Sequence, residues 1–188
     1  MPKKTFTAPL ELKADGQPGE FKAVFSTLNV IDLDKDVTVP GAFQEQDTIV
    51  EPWNHGWTLP AGKGSIKSND AEAWIEGQFF MDTEVGRENY QTVKNLEALA
   101  EWSYTFDILE WGQGKFEGQE VRFLRKLDVI GVSPVTRGAG IDTRTTAIKS
   151  NADIKNNDNE GEAPTGKPGG IGPEVVKAQI ELIELGAI

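Results

Sequence analysis

Residues 5–148 are divided by frequent Gly, Pro, Asn and Asp residues into short segments in which apolar and polar residues tend to alternate. A period of two places the apolar side chains on one face of a strand. Frequent turn-forming residues keep each strand short. The pattern predicts an α+β, β-rich domain over residues 1–148, built on an antiparallel sheet or barrel. The predicted strands are residues 6–12, 21–27, 64–68, 73–80, 102–109 and 120–130, with a turn at residues 112–114.

One segment of this domain has helical rather than strand periodicity. Residues 83–100 place Tyr90, Val93, Leu96 and Ala100 at helical spacing. Thr83 is suited to cap the helix, and a glutamate follows it in the first turn. We predict an amphipathic helix that packs on the sheet.

The composition changes after residue 148. Residues 149–173 are dominated by Asn, Asp, Gly, Pro, Glu and Lys and contain no aromatic residue, which predicts a flexible linker. Residues 174–188 follow with Val176, Ile180 and Ile183 on one face of a predicted amphipathic helix. Because so short a helix is marginal alone in water, we predict that it docks on a partner. The alternative is that it packs on the domain formed by residues 1–148.

Composition excludes several classes of protein. Nineteen Lys and Arg residues against 30 Asp and Glu give a net charge of −11, so a nucleic-acid partner is not predicted. No apolar run approaches the roughly 20 residues of a membrane helix, and the amino-terminal segment does not resemble an export signal. With no cysteine and one histidine, disulfides, thiolate nucleophiles and multi-histidine metal sites are excluded, and no cofactor is predicted.

The only histidine, His55, lies in the segment WNHGWTLP at residues 53–60. Turn formers and bulky aromatic residues predict a structured loop here. The ordinary interpretation is a half-buried imidazole stacked between Trp53 and Trp57. A catalytic interpretation requires a nucleophile elsewhere in the chain.

Ser103 is a candidate nucleophile on a predicted strand. Strand alternation sends Tyr104, Phe106 and Ile108 to one face and Ser103, with its polar neighbours, to the other. A solvated sheet face is the ordinary interpretation of this pattern.

Three aspartates, Asp32, Asp34 and Asp36, are spaced like the start of a calcium loop. Such a loop needs Gly at its sixth position and Glu at its twelfth, where this chain has Val37 and Phe43. A turn stabilised by aspartate side chains is predicted instead.

Several short motifs occur in the order typical of one protein family. They are, in chain order, FST at 25–27, DLDKD at 32–36, VPGAF at 39–43, WNH at 53–55, GQFFMDTEVGR at 77–87, WSY at 102–104, VSPV at 132–135 and GAG at 138–140. With these motifs the chain resembles the tailed-phage prohead (capsid maturation) proteases. That family is related to the herpesvirus assemblins, which are serine peptidases built on a β-barrel flanked by helices.

The resemblance implies that Ser103 is the nucleophile and His55 the general base of a serine endopeptidase. It implies cleavage of phage scaffold and major capsid precursors inside the prohead, in the host cytoplasm. Self-cleavage in the linker and a homo-oligomeric state are compatible with this function. The alternative is a non-catalytic capsid assembly or scaffolding module that retains the protease fold.

One position departs from the family pattern. An acidic residue, proposed as the third catalytic member, usually precedes the Val-Ser-x-Val segment, and here that position is Gly131. On a regular strand Asp128 would point to the face opposite to position 131, and Asp107 lies about 13 Å along its strand from Ser103. We predict neither as the replacement. Another side chain, a backbone carbonyl or a water is left to orient the imidazole, or the enzyme is weak or inactive.

Overall fold

The computed structural model describes residues 11–13 and 17–149. The predicted linker, apart from Lys149, and the predicted terminal helix at 174–188 lie outside the described residues. Both stay predictions, as do the domain boundaries. Within the described part of the chain, no helix is long and apolar enough to cross a membrane.

The described residues form nine strands, one α-helix and one short 3-10 helix at Glu97–Leu99. The strands are β1 Glu11–Lys13, β2 Glu20–Thr27, β3 Asp36–Thr38, β4 Gln46–Val50, β5 Gly62–Ser68, β6 Glu72–Phe79, β7 Glu101–Phe116, β8 Gln119–Val135 and β9 Arg144–Lys149. The helix, α1, is Glu84–Leu96.

All nine strands belong to one sheet in the order β1-β9-β2-β6-β5-β4-β8-β3, with β7 also paired to β8. The sheet curls into a half-barrel. The prediction of a β-rich fold is therefore confirmed. The predicted assemblin-like antiparallel barrel flanked by helices is not confirmed, because β1–β9, β3–β8 and β4–β8 are parallel pairs and the described ranges contain one α-helix.

The core contains a group of stacked aromatic side chains. Phe21 on β2 lies 4.6 Å from Phe79 on β6 and 5.0 Å from Trp102 on β7, measured between ring centroids. Tyr90 and Val93 of α1 belong to the same buried cluster. The apolar face of α1 therefore packs on the sheet, as the periodicity predicts.

The beginning of α1 agrees with the sequence in detail. The Thr83 hydroxyl accepts a hydrogen bond from the Gly86 amide at 3.0 Å, which caps the helix. The α-helix ends at Leu96 rather than at Ala100, because Glu97 adopts a positive φ of 50° and a 3-10 turn follows.

The hairpin of β7 and β8 is longer than predicted. Its turn lies at Glu117 and Gly118, both with positive φ, as a two-residue hairpin turn of the primed type requires. The predicted turn at residues 112–114 is wrong because these residues continue β7. The ring of Phe123 on β8 covers Gly114 so closely that an added Cβ would lie 2.8 Å from it.

Candidate active site

His55 lies in the loop between β4 and β5, which has an unusual backbone. Asn54 and His55 both have a φ of 55°, a left-handed conformation that is uncommon outside glycine and costs about 1 kcal/mol or more per residue. Such a conformation persists only where surrounding contacts hold it.

Residues at the end of β8 supply the first set of these contacts. The buried Ser133 hydroxyl donates to the Pro52 carbonyl at 2.8 Å and accepts from the His55 amide at 3.0 Å. The Asn54 amide donates to the Pro134 carbonyl at 2.9 Å, and the Asn54 side-chain oxygen accepts from the Thr136 amide at 3.0 Å. The loop is thus fixed to β8 at several points.

The helix supplies a further contact. Asn89 of α1 accepts from the Trp53 amide at 2.7 Å and donates to the Val85 carbonyl at 2.8 Å. Trp53 packs against the core, whereas Trp57 is fully exposed. The interpretation of His55 as an imidazole stacked between two tryptophans is therefore wrong.

The His55 ring is held by two side chains instead. Its Nδ1 lies 2.5 Å from Oε2 of Glu51, the residue directly after β4. The Thr105 hydroxyl on β7 donates to the same Glu51 oxygen at 3.0 Å and lies 3.1 Å from Nδ1. A carboxylate can only accept, so this contact places the ring proton on Nδ1 and leaves the Nε2 lone pair available as a base.

Glu51 is suited to remain ionised in this position. Its burial raises the pKa, but the hydrogen bonds from His55 and Thr105 and the positive charge of a protonated His55 outweigh burial, so the pKa of Glu51 is lowered. The side chain of Glu51 is 14% exposed and that of His55 is 35% exposed. The acid is thus covered while the imidazole remains open to a substrate.

Gly131 provides the space for this carboxylate. In the sheet it pairs with Ile49 of β4 on one side and with Thr105 of β7 on the other. A Cβ added at Gly131 would lie 2.6 Å from both Cγ and Oε1 of Glu51. Any side chain at position 131 would compete with Glu51 for the same volume.

Ser103 lies on the same sheet face as these groups. It pairs with Ser133 across β7 and β8, and it precedes Thr105 by two residues, so strand alternation gives both the same side. Ser133 contacts the His55 backbone and Thr105 contacts the His55 ring, so Ser103 adjoins both points of contact. Within the described residues the Ser103 hydroxyl makes no hydrogen bond, and catalytic hydrogen bonds often tighten only when substrate binds.

A β-bulge changes the expected position of Asp128. Thr105 pairs with Gly131 but Phe106 pairs with Val129, so Ile130 is an extra residue in β8. Beyond this bulge, Asp128 pairs with Asp107, so Asp128 shares a face with position 131 and the expectation of opposite faces is wrong. Both aspartates are exposed, and neither is hydrogen-bonded to His55.

One other expectation has a clear outcome. The Asp32 carboxylate accepts from the Asp34 amide at 2.9 Å and from the Asp36 amide at 2.8 Å, which confirms the aspartate-stabilised turn. The amide of Gly138 donates to the Glu101 carboxylate at 2.9 Å, so it is not free to act as an oxyanion donor. Across residues 11–13 and 17–149, no group of three or more His, Asp or Glu side chains is placed to hold a metal ion.

The structure therefore brings Ser103 and His55 to one face and adds Glu51 and Thr105, which sequence reasoning missed. The signal for Glu51 was slight. A carboxylate four residues before a lone histidine is suggestive only on a helix, where such residues are neighbours, and this segment is a strand end and a loop.

Comparison with known proteins gives one match. A family model described as Caudovirus prohead serine protease matches residues 9–158, which is 150 of the 188 residues. The matched range contains all nine strands and every residue of the candidate site. Searches among curated proteins and among solved structures found no match.

Proposed function

This chain belongs to the caudovirus prohead serine protease family, and we propose that it is the endopeptidase that matures phage heads. In this role Ser103 is the nucleophile and His55 the general base. The observation that carries the proposal is the His55 ring, which is held through Nδ1 on the sheet face that bears Ser103.

The first chemical step is acylation of Ser103. As the Ser103 Oγ bonds to the carbonyl carbon of the scissile peptide, its proton passes to Nε2 of His55. The tetrahedral intermediate collapses with cleavage of the C–N bond. His55 returns the proton to the departing amine, so the ring is neutral again.

The second step releases the acyl group. A water molecule gives a proton to Nε2 and its oxygen attacks the ester carbonyl, and the C–Oγ bond breaks as the proton returns to Ser103. No metal or cofactor is needed for these transfers. The substrate must present an extended segment, because a folded chain would not place its backbone against the sheet face.

The family supports capsid precursor proteins as the partners. We propose that the scaffold and major capsid proteins are cleaved inside the prohead, in the host cytoplasm. Self-cleavage within residues 149–173 belongs to the same proposal, because a linker would supply an extended substrate within the chain.

The test is cleavage of capsid and scaffold precursors co-expressed with this chain. We expect new amino termini, detected by mass spectrometry, that are absent with Ser103→Ala and with His55→Ala. Ser65→Ala is the matched control, since Ser65 lies on β5 and bonds to Asp47 at 2.6 Å, and it should cleave normally.

Two results would contradict the proposal. Full cleavage by Ser103→Ala would exclude Ser103 as the nucleophile. Assembly of heads with intact precursors in the presence of the wild-type chain would favour the non-catalytic scaffolding role.

A further inference from the structure

We propose that Glu51 is the acid that positions His55, and that Gly131, by lacking a side chain, leaves the space that the Glu51 carboxylate occupies. The family resemblance places this acid at position 131 on β8, whereas here the acid is Glu51, directly after β4. This inference rests on the proposed peptidase function, because it assigns a role to a residue that acts through His55.

The contacts of Glu51 are those a positioning acid needs. Its Oε2 lies 2.5 Å from Nδ1 of His55 and accepts the Thr105 hydroxyl at 3.0 Å. The Thr105 bond restricts rotation of the carboxylate, and the carboxylate in turn restricts rotation of the imidazole. Two strands, β4 and β7, therefore hold the ring in one orientation, with Nε2 directed away from Glu51.

The side chain of Glu51 occupies the space that a side chain at position 131 would need. A Cβ at position 131 would lie 2.6 Å from Glu51 Cγ and Oε1 and 2.8 Å from Cδ. Real Cβ atoms do not approach that closely. A side chain at position 131 therefore requires Glu51 to leave its observed position beside His55, so we treat the glycine and the glutamate as one functional pair.

The chemistry assigned to Glu51 is indirect. When Nε2 takes the Ser103 proton, the ring becomes an imidazolium, and the adjacent carboxylate stabilises that charge. Before this step the carboxylate accepts Nδ1–H and so selects the tautomer in which Nε2 is a base. Glu51 does not contact the nucleophile or the substrate in this scheme, and it is a positioning residue.

The first test separates turnover from binding. For cleavage of a purified capsid precursor, Glu51→Gln should lower kcat by about 100- to 10,000-fold with KM changed less than about threefold, by analogy with the triad aspartate of another serine protease. Asp107→Asn is the matched control because it removes a carboxylate from the same sheet face without contact to His55. Equal effects of the two variants would overturn the proposal.

The second test uses the shared space. Gly131→Glu alone should lower kcat, because the new side chain would displace Glu51. For the double variant Glu51→Ala with Gly131→Glu, kcat relative to the wild type should be at least about tenfold higher than the product of the relative kcat values of the two single variants. The reason is that the new acid then enters the space that Glu51 has left. A double-variant kcat equal to that product would overturn the claim that positions 51 and 131 are alternative sites for the acid.

The third test does not depend on proteolysis. The chain has one histidine, so ¹⁵N-labelled histidine reports on His55 alone. In the Ser103→Ala background at about pH 8, the ring proton should reside on Nδ1, and Glu51→Gln should move it to Nε2 by donating its amide to Nδ1. An unchanged tautomer would overturn the role of Glu51, whereas the expected change without any precursor cleavage would count against the peptidase function alone.

Discussion

Ser133 illustrates how one buried hydroxyl shapes the candidate site. It accepts from the His55 amide at 3.0 Å and donates to the Pro52 carbonyl at 2.8 Å. Its side chain is fully buried. The residue therefore supports the backbone of His55, the proposed general base.

We predict that Ser133→Ala lowers both stability and activity. Loss of the hydroxyl leaves the Pro52 carbonyl and the partly buried His55 amide without this partner, at a cost of about 2 kcal/mol, which corresponds to a fall in Tm of about 4–8 °C for a chain of this size. Precursor cleavage should decrease but persist, unlike in Ser103→Ala. Thermal melts beside the control Ser65→Ala, at a serine that is not buried, measure the effect, and an unchanged Tm would show that the loop is held without Ser133.

At the residue scale, the sequence predicts Ser103 and His55 as the proposed reactive pair but does not predict Glu51, the group proposed to orient the imidazole. His55 is the only imidazole, and Ser103 is selected by the order of the motifs. The position of the Glu51 side chain beside His55 depends on the parallel pairing of β4 with β8, on the Ile130 bulge and on the small volume of Gly131. These relations join residues about 80 positions apart and have no local sequence pattern.

At the element scale, Gly86 determines how α1 begins. A Cβ at Gly86 would lie 2.0 Å from the Phe80 carbonyl oxygen and 2.6 Å from its carbon. The contact is with backbone, so a change of side-chain rotamer cannot relieve it. The helix therefore begins close against the end of β6, and through Asn89 it positions the His55 loop.

We predict that Gly86→Ala is destabilising although alanine is the better helix former. The gain in helix propensity is about 1 kcal/mol, whereas forcing a methyl group into packed backbone should cost more than this, with a net loss of about 1–2 kcal/mol. Chemical denaturation should show a lower midpoint than for the wild type. The exposed helix variant Glu88→Ala is the control, and a midpoint for Gly86→Ala at or above the wild-type value would contradict the close approach.

The elements with strong local periodicity were predicted best. β2, β5, β6 and α1 agree with the sequence to within a few residues. β3, β4 and β9 were missed because they are short, and much of their order comes from pairing with distant strands. The predicted position of the hairpin turn is wrong because two closely spaced glycines, Gly112 and Gly114, are typical of a turn. In the structure both lie in β7, where the ring of Phe123 packs against Gly114.

At the scale of the whole molecule, one ion-pair network crosses three adjacent strands. Glu76 on β6 accepts from Lys67 on β5 at 2.6 Å, from Lys22 on β2 at 3.1 Å and from the Trp74 ring nitrogen at 3.0 Å. The Lys67 hydrogen bond is the main cause that lowers the pKa of Glu76 to about 2, against the opposing effect of partial burial. The carboxylate therefore stabilises the fold only while it is ionised.

This network predicts the acid limit of stability. Because the folded pKa of Glu76 lies below its ordinary value of 4.5, the stabilising effect is complete above about pH 4.5 and is lost as the pH falls towards 2. Glu76→Gln should lower the Tm at pH 7 and flatten the decline of Tm between these values. Glu110→Gln, an exposed change on β7, should leave the profile unchanged. A wild-type decline that persists in Glu76→Gln would contradict this assignment.

The most direct test of the central claim is covalent labelling of the nucleophile by a fluorophosphonate. In this reaction the Ser103 oxygen bonds to phosphorus, fluoride leaves, and His55 takes the hydroxyl proton. Peptide mapping by mass spectrometry should find one label per chain, on Ser103, and no label in His55→Ala. A label on another serine, or an unlabelled Ser103 in the wild-type chain, would contradict the assignment of Ser103 and His55 as the reactive pair.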